Sequence, residues 1–198
     1  MIIVCTGNSG SGKTAYSLLK AIENLKRGRL VASNSSYFWD RGGISGSIYL
    51  DDQKLLDFWK HVSPGSFIIV DEVSSSLLSK IDRKLFFDRW FTDHLRSGTD
   101  LLLISQNLPL VSKFFHHYNG DPVHHKCVNV DNVLSITPHK IFGVRFSILQ
   151  EFSVDNSYLN HPHFDRQPGF KFDLQRVQCF SPYRTVLKVD DFFKEASK

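Results

Sequence analysis

An α/β fold, with a mostly parallel sheet between layers of helices, is predicted by three features of the sequence. Apolar runs at residues 1–6, 67–70 and 101–104 have the length and composition of strands that are buried on both faces. A helical spacing of apolar residues follows the first run, beginning at Ala15. Glycine or polar residues end each run, where open α/β sheets bind their ligands.

A glycine-rich stretch connects the first strand to the first helix and fits the phosphate-loop pattern G-x-x-x-x-G-K-[ST] at every fixed position. Its glycines let consecutive N–H groups point at an anion, and the positive end of the helix adds to that attraction. Lys13 can reach the outer phosphates, and the Thr14 hydroxyl can hold Mg²⁺. The stretch predicts a site for ATP and Mg²⁺ formed by Gly7, Asn8, Ser9, Gly10, Ser11, Gly12, Lys13 and Thr14.

Two carboxylates follow the second apolar run. Asp71 is placed to hold the shell of Mg²⁺, directly or through water, and Glu72 to act as general base on an attacking water. Gln106 follows the third run and is expected beside the γ-phosphate, where it senses the nucleotide or positions water. A plain amide at the end of a strand is the alternative for Gln106.

The intervening elements are predicted from local signals. The first helix should end near Arg27, because Gly28 suits the position after a helix. A second strand at residues 30–32 leads into a glycine- and serine-rich loop that extends to Ser47. Its aromatic residues are expected to be packing anchors, with a ligand or partner contact as the alternative: Tyr37, Phe38 and Trp39.

Two further helices are predicted from aspartate caps. One begins after Asp51 or Asp52, presents Leu55, Phe58, Trp59 and Val62 on one face, and ends at Pro64-Gly65. The other begins at Asp82 and ends at Gly98.

The pattern is weaker beyond Pro109. A short helix is expected at residues 109–115, strands at 123–130 and 144–152, and a terminal helix at 190–194, while 153–178 receive no assignment. One domain is predicted over residues 1–198, with a core of about 1–140 and a small β-rich C-terminal extension of about 141–198. The cluster of His116, His117, His124, His125 and Cys127 fits no standard zinc spacing, so solvated or packing histidines are expected, with metal binding as the alternative.

Composition narrows the class of protein. With 198 residues, 41% of them hydrophobic, the chain can build a full core. The net charge of +4 is a mild excess and a weak indication of nucleic-acid binding. Three scattered cysteines indicate a reducing compartment. The first apolar run leads into the phosphate loop, which indicates a core strand instead of a signal peptide, and no run approaches the ~18 residues of a membrane span.

The order of elements indicates the additional-strand class of P-loop NTPases, with a three-layer arrangement. A strand separates the phosphate-loop strand from the Asp71 strand along the chain, and the Gln106 strand follows. Such ATPases commonly form homo-oligomeric rings in which an arginine of one subunit reaches the γ-phosphate bound by its neighbour. Arg96 is the first candidate and Arg89 the second; a surface residue at a helix end is the alternative for Arg96.

Several stretches together resemble the N-terminal NTPase domain of the zonula occludens toxin family, which includes the assembly proteins of filamentous phages. The start of the chain into Gly12-Lys13-Thr14 is similar to that family's opening. Ser33-Asn34 resembles its Thr-Asn, and Ile69-Val70-Asp71-Glu72 its Walker B stretch. His94 to Asp100 resembles the segment before its Gln strand, and Tyr183-Arg184-Thr185 its Tyr-x-Thr. The resemblance covers residues 1–115 well and the remainder faintly.

The resemblance implies an ATP-hydrolysing motor in the host cytoplasm, at the inner face of the host inner membrane, that drives extrusion or assembly of phage particles. Phage or viral DNA, coat proteins and membrane assembly proteins are the partners it implies. Members usually carry a membrane helix after this domain, and this sequence has none. Two alternatives stay open: a cytoplasmic fragment whose membrane segment is absent here, or a soluble relative such as a viral DNA-packaging ATPase of the FtsK/HerA type.

Two other functions use the same loop. A small-molecule kinase would need an acceptor pocket and often an arginine-rich lid, for which the sequence gives no sign. A non-hydrolysing nucleotide switch or assembly scaffold would bind the nucleotide without using Glu72 as a base.

Overall fold

The computed structural model describes residues 1–35, 38, 45–82, 85–86, 98–106, 111, 132–141, 143–154 and 172–196. The strands are β1 (Ile2–Thr6), β2 (Val31–Ser33), β3 (Ser47–Tyr49), β4 (Phe67–Val70), β5 (Asp100–Ser105), β6 (Asn132–Ile141), β7 (Val144–Val154) and β8 (Phe172–Phe180). The helices are α1 (Lys13–Lys26), α2 (Asp52–Leu55), a 3₁₀ turn (Phe58–Lys60), α3 (Ser75–Lys80) and α4 (Pro182–Ala196).

All of these strands form one mixed sheet in the order β3-β2-β4-β5-β1-β6-β7-β8. The strands from β3 to β6 are parallel, and β7 and β8 are added by antiparallel pairing. The expected α/β fold with a mostly parallel sheet is therefore confirmed. β5 lies between β1 and β4, although it follows both of them in the sequence.

Alternate residues of the inner strands pack into two separate cores. Val4, Ile68 and Leu101 lie in one core, while their neighbours on the opposite face of the sheet lie in the other: Cys5, Ile69 and Leu102. β4 is buried along its whole length, as expected from its continuous apolar sequence. Because side chains alternate along a strand, a shift of one residue in register would exchange the two cores.

Helices cover both faces of the sheet. Leu18 and Ile22 of α1 share a core with Val189 and Phe193 of α4, so these two helices lie on the same face. On the other face, the shorter segments α2, the 3₁₀ turn and α3 contribute Leu55, Phe58 and Leu78. The sheet therefore lies between two helical layers.

The C-terminal extension continues the sheet. β7 and β8 pair in series beyond β6, and α4 returns across the sheet to α1. Phe193 of α4 packs edge-on against Phe38, with ring centroids 5.7 Å apart, so this aromatic residue is the packing anchor that the sequence predicts. Within the part of the chain that the structure describes, no helix is long and apolar enough to cross a membrane.

Several predicted boundaries are wrong. The single helix expected after Asp51 is divided into α2 and the 3₁₀ turn, because the backbone leaves helical geometry at Asp57 (φ −136°, ψ 39°). The Asp57 carboxylate instead binds Lys60 and His61, which follow it in the 3₁₀ turn and at its end. The terminal helix is longer than predicted, and β3, β6 and β8 were not predicted. The strand expected at residues 123–130 lies outside the described residues.

Arg29 joins four segments at the edge of the sheet opposite the phosphate loop. Its guanidinium donates five hydrogen bonds of 2.7–3.0 Å to groups in α1, in the loops before β4 and β5, and in β5 itself. The acceptors are the side chains of Asn24 and Asp100 and the carbonyl oxygens of Gly65, Ser66 and Gly98. The planar guanidinium uses its fixed fork of donors to reach acceptors that a lysine ammonium could not all reach.

We expect Arg29→Lys to lower the free energy of unfolding by about 2–4 kcal/mol, because part-buried acceptors would lose their donors. Urea unfolding followed by circular dichroism measures this change. Arg27→Lys is the matched control, since Arg27 is exposed, and its effect should stay within about 0.5 kcal/mol. Equal midpoints for the two variants would show that the Arg29 hydrogen bonds do not support the fold.

Candidate functional site

The candidate site lies at the carboxyl-terminal edge of the parallel strands. Gly7 follows β1, Asp71 follows β4, and Gln106 follows β5, which lies between them. Adjacent strands are about 4.8 Å apart, so the ends of β1 and β4 are separated by about 10 Å. The sheet order therefore brings together residues from three distant parts of the sequence.

The phosphate loop has the backbone that its glycines predict. Gly7, Gly10 and Gly12 all have positive φ, of 150°, 73° and 95°. At Gly7 a Cβ atom would lie 2.2 Å from the carbonyl oxygen of Ile136, so this position requires glycine for space as well as for conformation. Gly12 precedes α1 in the left-handed region and has no side chain that could cap the helix. The first turn of α1 consequently keeps N–H groups available for an anion.

Lys13 is the first residue of α1, and its side chain folds back over the loop. The ammonium group donates hydrogen bonds to the carbonyl oxygens of Gly7 (2.8 Å) and Asn8 (2.9 Å). Only 9% of the residue is exposed. The loop thus holds a positive charge across its own concave side, where the phosphates of a nucleotide would lie.

Thr14 and Asp71 meet at the start of α1. The Thr14 hydroxyl donates a hydrogen bond of 3.0 Å to Oδ2 of Asp71. Burial raises the pKa of Asp71 above its usual value, and the hydrogen bond from Thr14 opposes that rise. A nearby cation would favour the ionised carboxylate, so this pair of oxygen ligands is chemically suited to Mg²⁺.

Thr14 and Asp71 are the two protein oxygen ligands that the described residues bring together here. Among the residues that the structure describes, no group of three or more His, Cys, Asp or Glu side chains is arranged to hold a metal ion. This is compatible with Mg²⁺, which keeps several waters and is commonly held by one or two protein oxygens together with substrate phosphates. Thr14 and Asp71 fit that requirement. The histidine cluster at residues 116–127 lies outside the described residues.

Asn34 fixes the position of Asp71. Its side chain accepts a hydrogen bond from the Asp71 N–H (2.7 Å) and donates one to the Asp71 carbonyl (2.9 Å). These two bonds replace the next step of backbone pairing between β2 and β4. The sequence resemblance pointed to Asn34 but gave it no role, and the structure shows it as a positioning residue for Asp71.

Glu72 has a strained backbone. Its φ is 57°, and it is the one non-glycine residue with positive φ in the described part of the chain. Both neighbours are fixed, because Asn34 holds Asp71 while the Val73 N–H donates to the Ile104 carbonyl at 2.8 Å. Such a conformation costs about 1–3 kcal/mol and persists only where the surroundings enforce it. It leaves the Glu72 side chain exposed at the edge of the sheet.

Of the remaining predicted site residues, the structure describes Gln106. Gln106 follows the Thr6–Ser105 pair of β1 and β5, and it is exposed between the phosphate loop and Asp71. Arg96 and Arg89 lie outside the described residues, so their expected role in a neighbouring subunit stays a prediction. The structure therefore brings together the phosphate loop, Asp71, Glu72 and Gln106.

The C-terminal extension forms the back of the phosphate loop. The Ser147 hydroxyl of β7 donates a hydrogen bond of 2.6 Å to the carbonyl oxygen of Ser11, and both residues are buried. A Cβ atom at Gly12 would lie 2.8 Å from Cγ of Pro182, at the start of α4. No local sequence pattern predicts these contacts, because each joins residues more than 130 positions apart.

Cys5 lies directly beneath the loop and is chemically quiet. It is fully buried in β1, and burial raises the pKa of its thiol to about 12. At neutral pH the thiol is therefore protonated and a poor nucleophile. Cys5 acts as a packing residue of the core.

We expect Gly12→Ala to destabilise the fold by about 1–3 kcal/mol more than Gly10→Ala, because overpacking adds to the backbone strain. Both glycines have positive φ, so alanine costs about 1–2 kcal/mol of strain at either position. A Cβ atom at Gly10 would meet nothing within 4 Å, whereas at Gly12 it would press on Pro182. Thermal unfolding of the two variants measures the difference. Equal losses of stability would mean that α4 moves away from the added Cβ atom at little cost.

Comparison with known proteins assigns no family to this chain. A scan against models of protein families matches none of them. A search of curated protein sequences also finds no match. The resemblance to the zonula occludens toxin family consequently stays a prediction based on the stretches quoted above.

Proposed function

We propose that this chain is a P-loop NTPase of the additional-strand class that binds ATP with Mg²⁺ and hydrolyses it. The observation that carries the proposal is the hydrogen bond between Thr14, next to the loop lysine, and Asp71 at the end of β4. The position of β5 between β1 and β4 supports the class. A chance glycine turn would not be expected to place a hydroxyl against a part-buried carboxylate of β4, which is the second strand from β1 in the sheet.

Each part of the loop has a role in binding. The N–H groups of the loop and of the first turn of α1 hold the phosphates, and Lys13 exchanges the carbonyl oxygens of Gly7 and Asn8 for phosphate oxygens. Thr14 and Asp71 would hold Mg²⁺, which neutralises charge on the phosphates when bound. Asn34 keeps the Asp71 backbone in place during this exchange.

Glu72 is the proposed general base and Gln106 the residue that orients the attacking water. Glu72 is exposed at the edge of the sheet, and the hydrogen bonds of Asp71 and Val73 hold the backbone on either side of it. A base must be held within reach of the proton that it removes. Glu72 directly after Asp71 favours water as the acceptor, whereas a kinase would need a pocket for a second substrate.

The cellular role that we propose follows the family resemblance. The chain would act as a motor for phage assembly or extrusion, with DNA packaging as the alternative, and it would work as a homo-oligomeric ring in the host cytoplasm. Arg96, or Arg89 in its place, would complete the site of the neighbouring subunit. Phage or viral DNA, coat proteins and membrane assembly proteins are the proposed partners.

Removal of the loop charge tests binding. Lys13→Ala should weaken ATP affinity about 100-fold or more, because charge-assisted hydrogen bonds to the phosphates are lost. Isothermal titration with ATP and Mg²⁺ gives the affinity. Lys20→Ala removes the same charge from the surface of α1, where Lys20 pairs with Glu23, and should leave affinity unchanged. If Lys13→Ala binds ATP as the unaltered chain does, the loop is not a nucleotide site.

Replacement of the base tests hydrolysis and separates a motor from a non-hydrolysing switch. Glu72→Gln should bind ATP normally while single-turnover hydrolysis falls by about 10²–10⁴-fold. Glu23→Gln makes the same chemical change on α1 and should have no effect. A chain that binds ATP but hydrolyses none of it before any substitution would be a switch or scaffold, and unchanged hydrolysis in Glu72→Gln would assign the base elsewhere.

A further inference from the structure

The hairpin formed by β6 and β7 extends beyond the strands on either side of it. Pairing of β6 with β1 ends at Ser135, and pairing of β7 with β8 ends at Ser147. Three further pairs continue the hairpin with no third strand among the described residues: His139–Phe146, Lys140–Arg145 and Ile141–Val144. We call these six residues the hairpin arm. At about 3.4 Å per pair it projects about 10 Å.

The arm lies at the same edge of the sheet as the candidate site. β6 runs parallel to β1, so both strands point toward the phosphate loop. Gly7 packs against the carbonyl of Ile136, and the arm begins only three residues beyond it. A surface that binds the end of the arm would therefore face the edge of the sheet that carries the phosphate loop.

The side chains are ordered along the arm. The outermost pair is aliphatic, with Ile141 55% and Val144 66% exposed. The next pair is cationic and exposed, Lys140 opposite Arg145. The innermost pair is a stack of His139 on Phe146, with ring centroids 5.5 Å apart. From the tip inward the order is apolar, cationic, aromatic.

Two of these pairs are unfavourable in water. Like charges directly opposite on neighbouring strands destabilise a sheet. No ion pair is formed by Lys140 or Arg145 within the described part of the chain. The aliphatic pair is exposed at the last pair of the ladder, next to the turn. A partner that is both anionic and apolar would satisfy both pairs at once.

We propose that the hairpin arm inserts into the surface of a lipid bilayer that contains anionic phospholipids. Ile141 and Val144 enter the boundary of the acyl chains, while Lys140 and Arg145, one pair further back, reach the lipid phosphates through their flexible stems. The aromatic pair then lies at the level of the headgroups. The net charge of +4 attracts the chain to such a surface.

The order of the pairs favours lipid over nucleic acid. A nucleic acid presents its phosphates outermost, so cations at the tip would meet them first. Here the cations lie behind the aliphatic pair, as the layers of a bilayer require. Insertion of the arm depends on the exposure and order of its side chains and needs no bound nucleotide.

Co-sedimentation of the full chain with vesicles tests the proposal. Phosphatidylcholine vesicles with about one-third phosphatidylglycerol should bind it, and pure phosphatidylcholine vesicles should bind it far less. Lys140→Ala/Arg145→Ala should weaken binding about 25-fold, since each basic residue near an anionic surface contributes about fivefold. Ile141→Ser/Val144→Ser should weaken it about tenfold or more through lost apolar burial.

Matched controls distinguish binding through the arm from nonspecific binding through other exposed apolar or cationic residues. Leu174→Ser/Val177→Ser removes two residues of β8 that are similarly exposed, at 52% and 55%. Lys188→Ala/Lys194→Ala removes two exposed cations of α4. Both control variants should bind anionic vesicles within about twofold of the unaltered chain, because their residues lie on β8 and α4, away from the charges that the arm places behind its aliphatic pair. Circular dichroism verifies that every variant is folded.

Three results would overturn the proposal. The first is that the unaltered chain does not bind anionic vesicles. The second is that Ile141→Ser/Val144→Ser binds vesicles normally while Lys140→Ala/Arg145→Ala loses binding to a labelled DNA duplex or single strand, which would assign the arm to nucleic acid. The third is that Ile141→Ser/Val144→Ser retains vesicle binding but dissociates an oligomer in sedimentation velocity, which would assign the tip to a second copy of the chain.

Discussion

Insertion of β5 between β1 and β4 is the constraint on which the candidate site depends. It sets the ends of the two outer strands about 10 Å apart, a gap that Thr14 closes from the first turn of α1 by its hydrogen bond to Asp71. The register of β1, β5 and β4 is set by alternate apolar side chains that enter two different cores. The distance between Thr14 and Asp71 is consequently determined by the packing of these strands in the two cores.

The loop is supported from behind as well as from below. β6, β7 and α4 each contact a different part of it, through the carbonyl of Ile136, the hydroxyl of Ser147 and the ring of Pro182. These contacts leave little room at Gly7 and Gly12, whereas Gly10 faces open space. β7 and α4 belong to the predicted C-terminal extension, so the extension contributes to the conformation of the phosphate loop.

The parts of the fold that the sequence predicts are those with a strong local signal. β1, β4 and β5 are continuous apolar runs, and the loop motif fixes where α1 begins. β8 escapes prediction because most of its residues are exposed, so its place in the sheet depends on backbone pairing with β7 more than on burial. At Asp57 the backbone leaves the helix and the carboxylate binds Lys60 and His61. The helical spacing of apolar residues continues through this position and therefore does not reveal the break.

The site shows the same division. The spacing of a motif predicted Lys13, Thr14, Asp71 and Glu72, because each belongs to a short pattern with a known chemical use. The positive φ of Glu72 and the hold of Asn34 on Asp71 arise from contacts between strands, and a single sequence does not show them. Ser147 illustrates the limit, since a serine in a β-strand has no feature that marks it as a support of the phosphate loop.

The pairing of β1 has a consequence for the way the chain folds. Ile2 pairs with Leu101 and Ile3 with Asn132, so both neighbours of the first strand come from the second half of the sequence. At about 5–20 residues per second, a ribosome needs several seconds or more to supply them after β1 has been made. During that interval an apolar strand remains unpaired beside a loop that has not yet acquired its shape. The edge that carries the phosphate loop can therefore fold only after that interval, and β1 is exposed as an unpaired apolar strand until then.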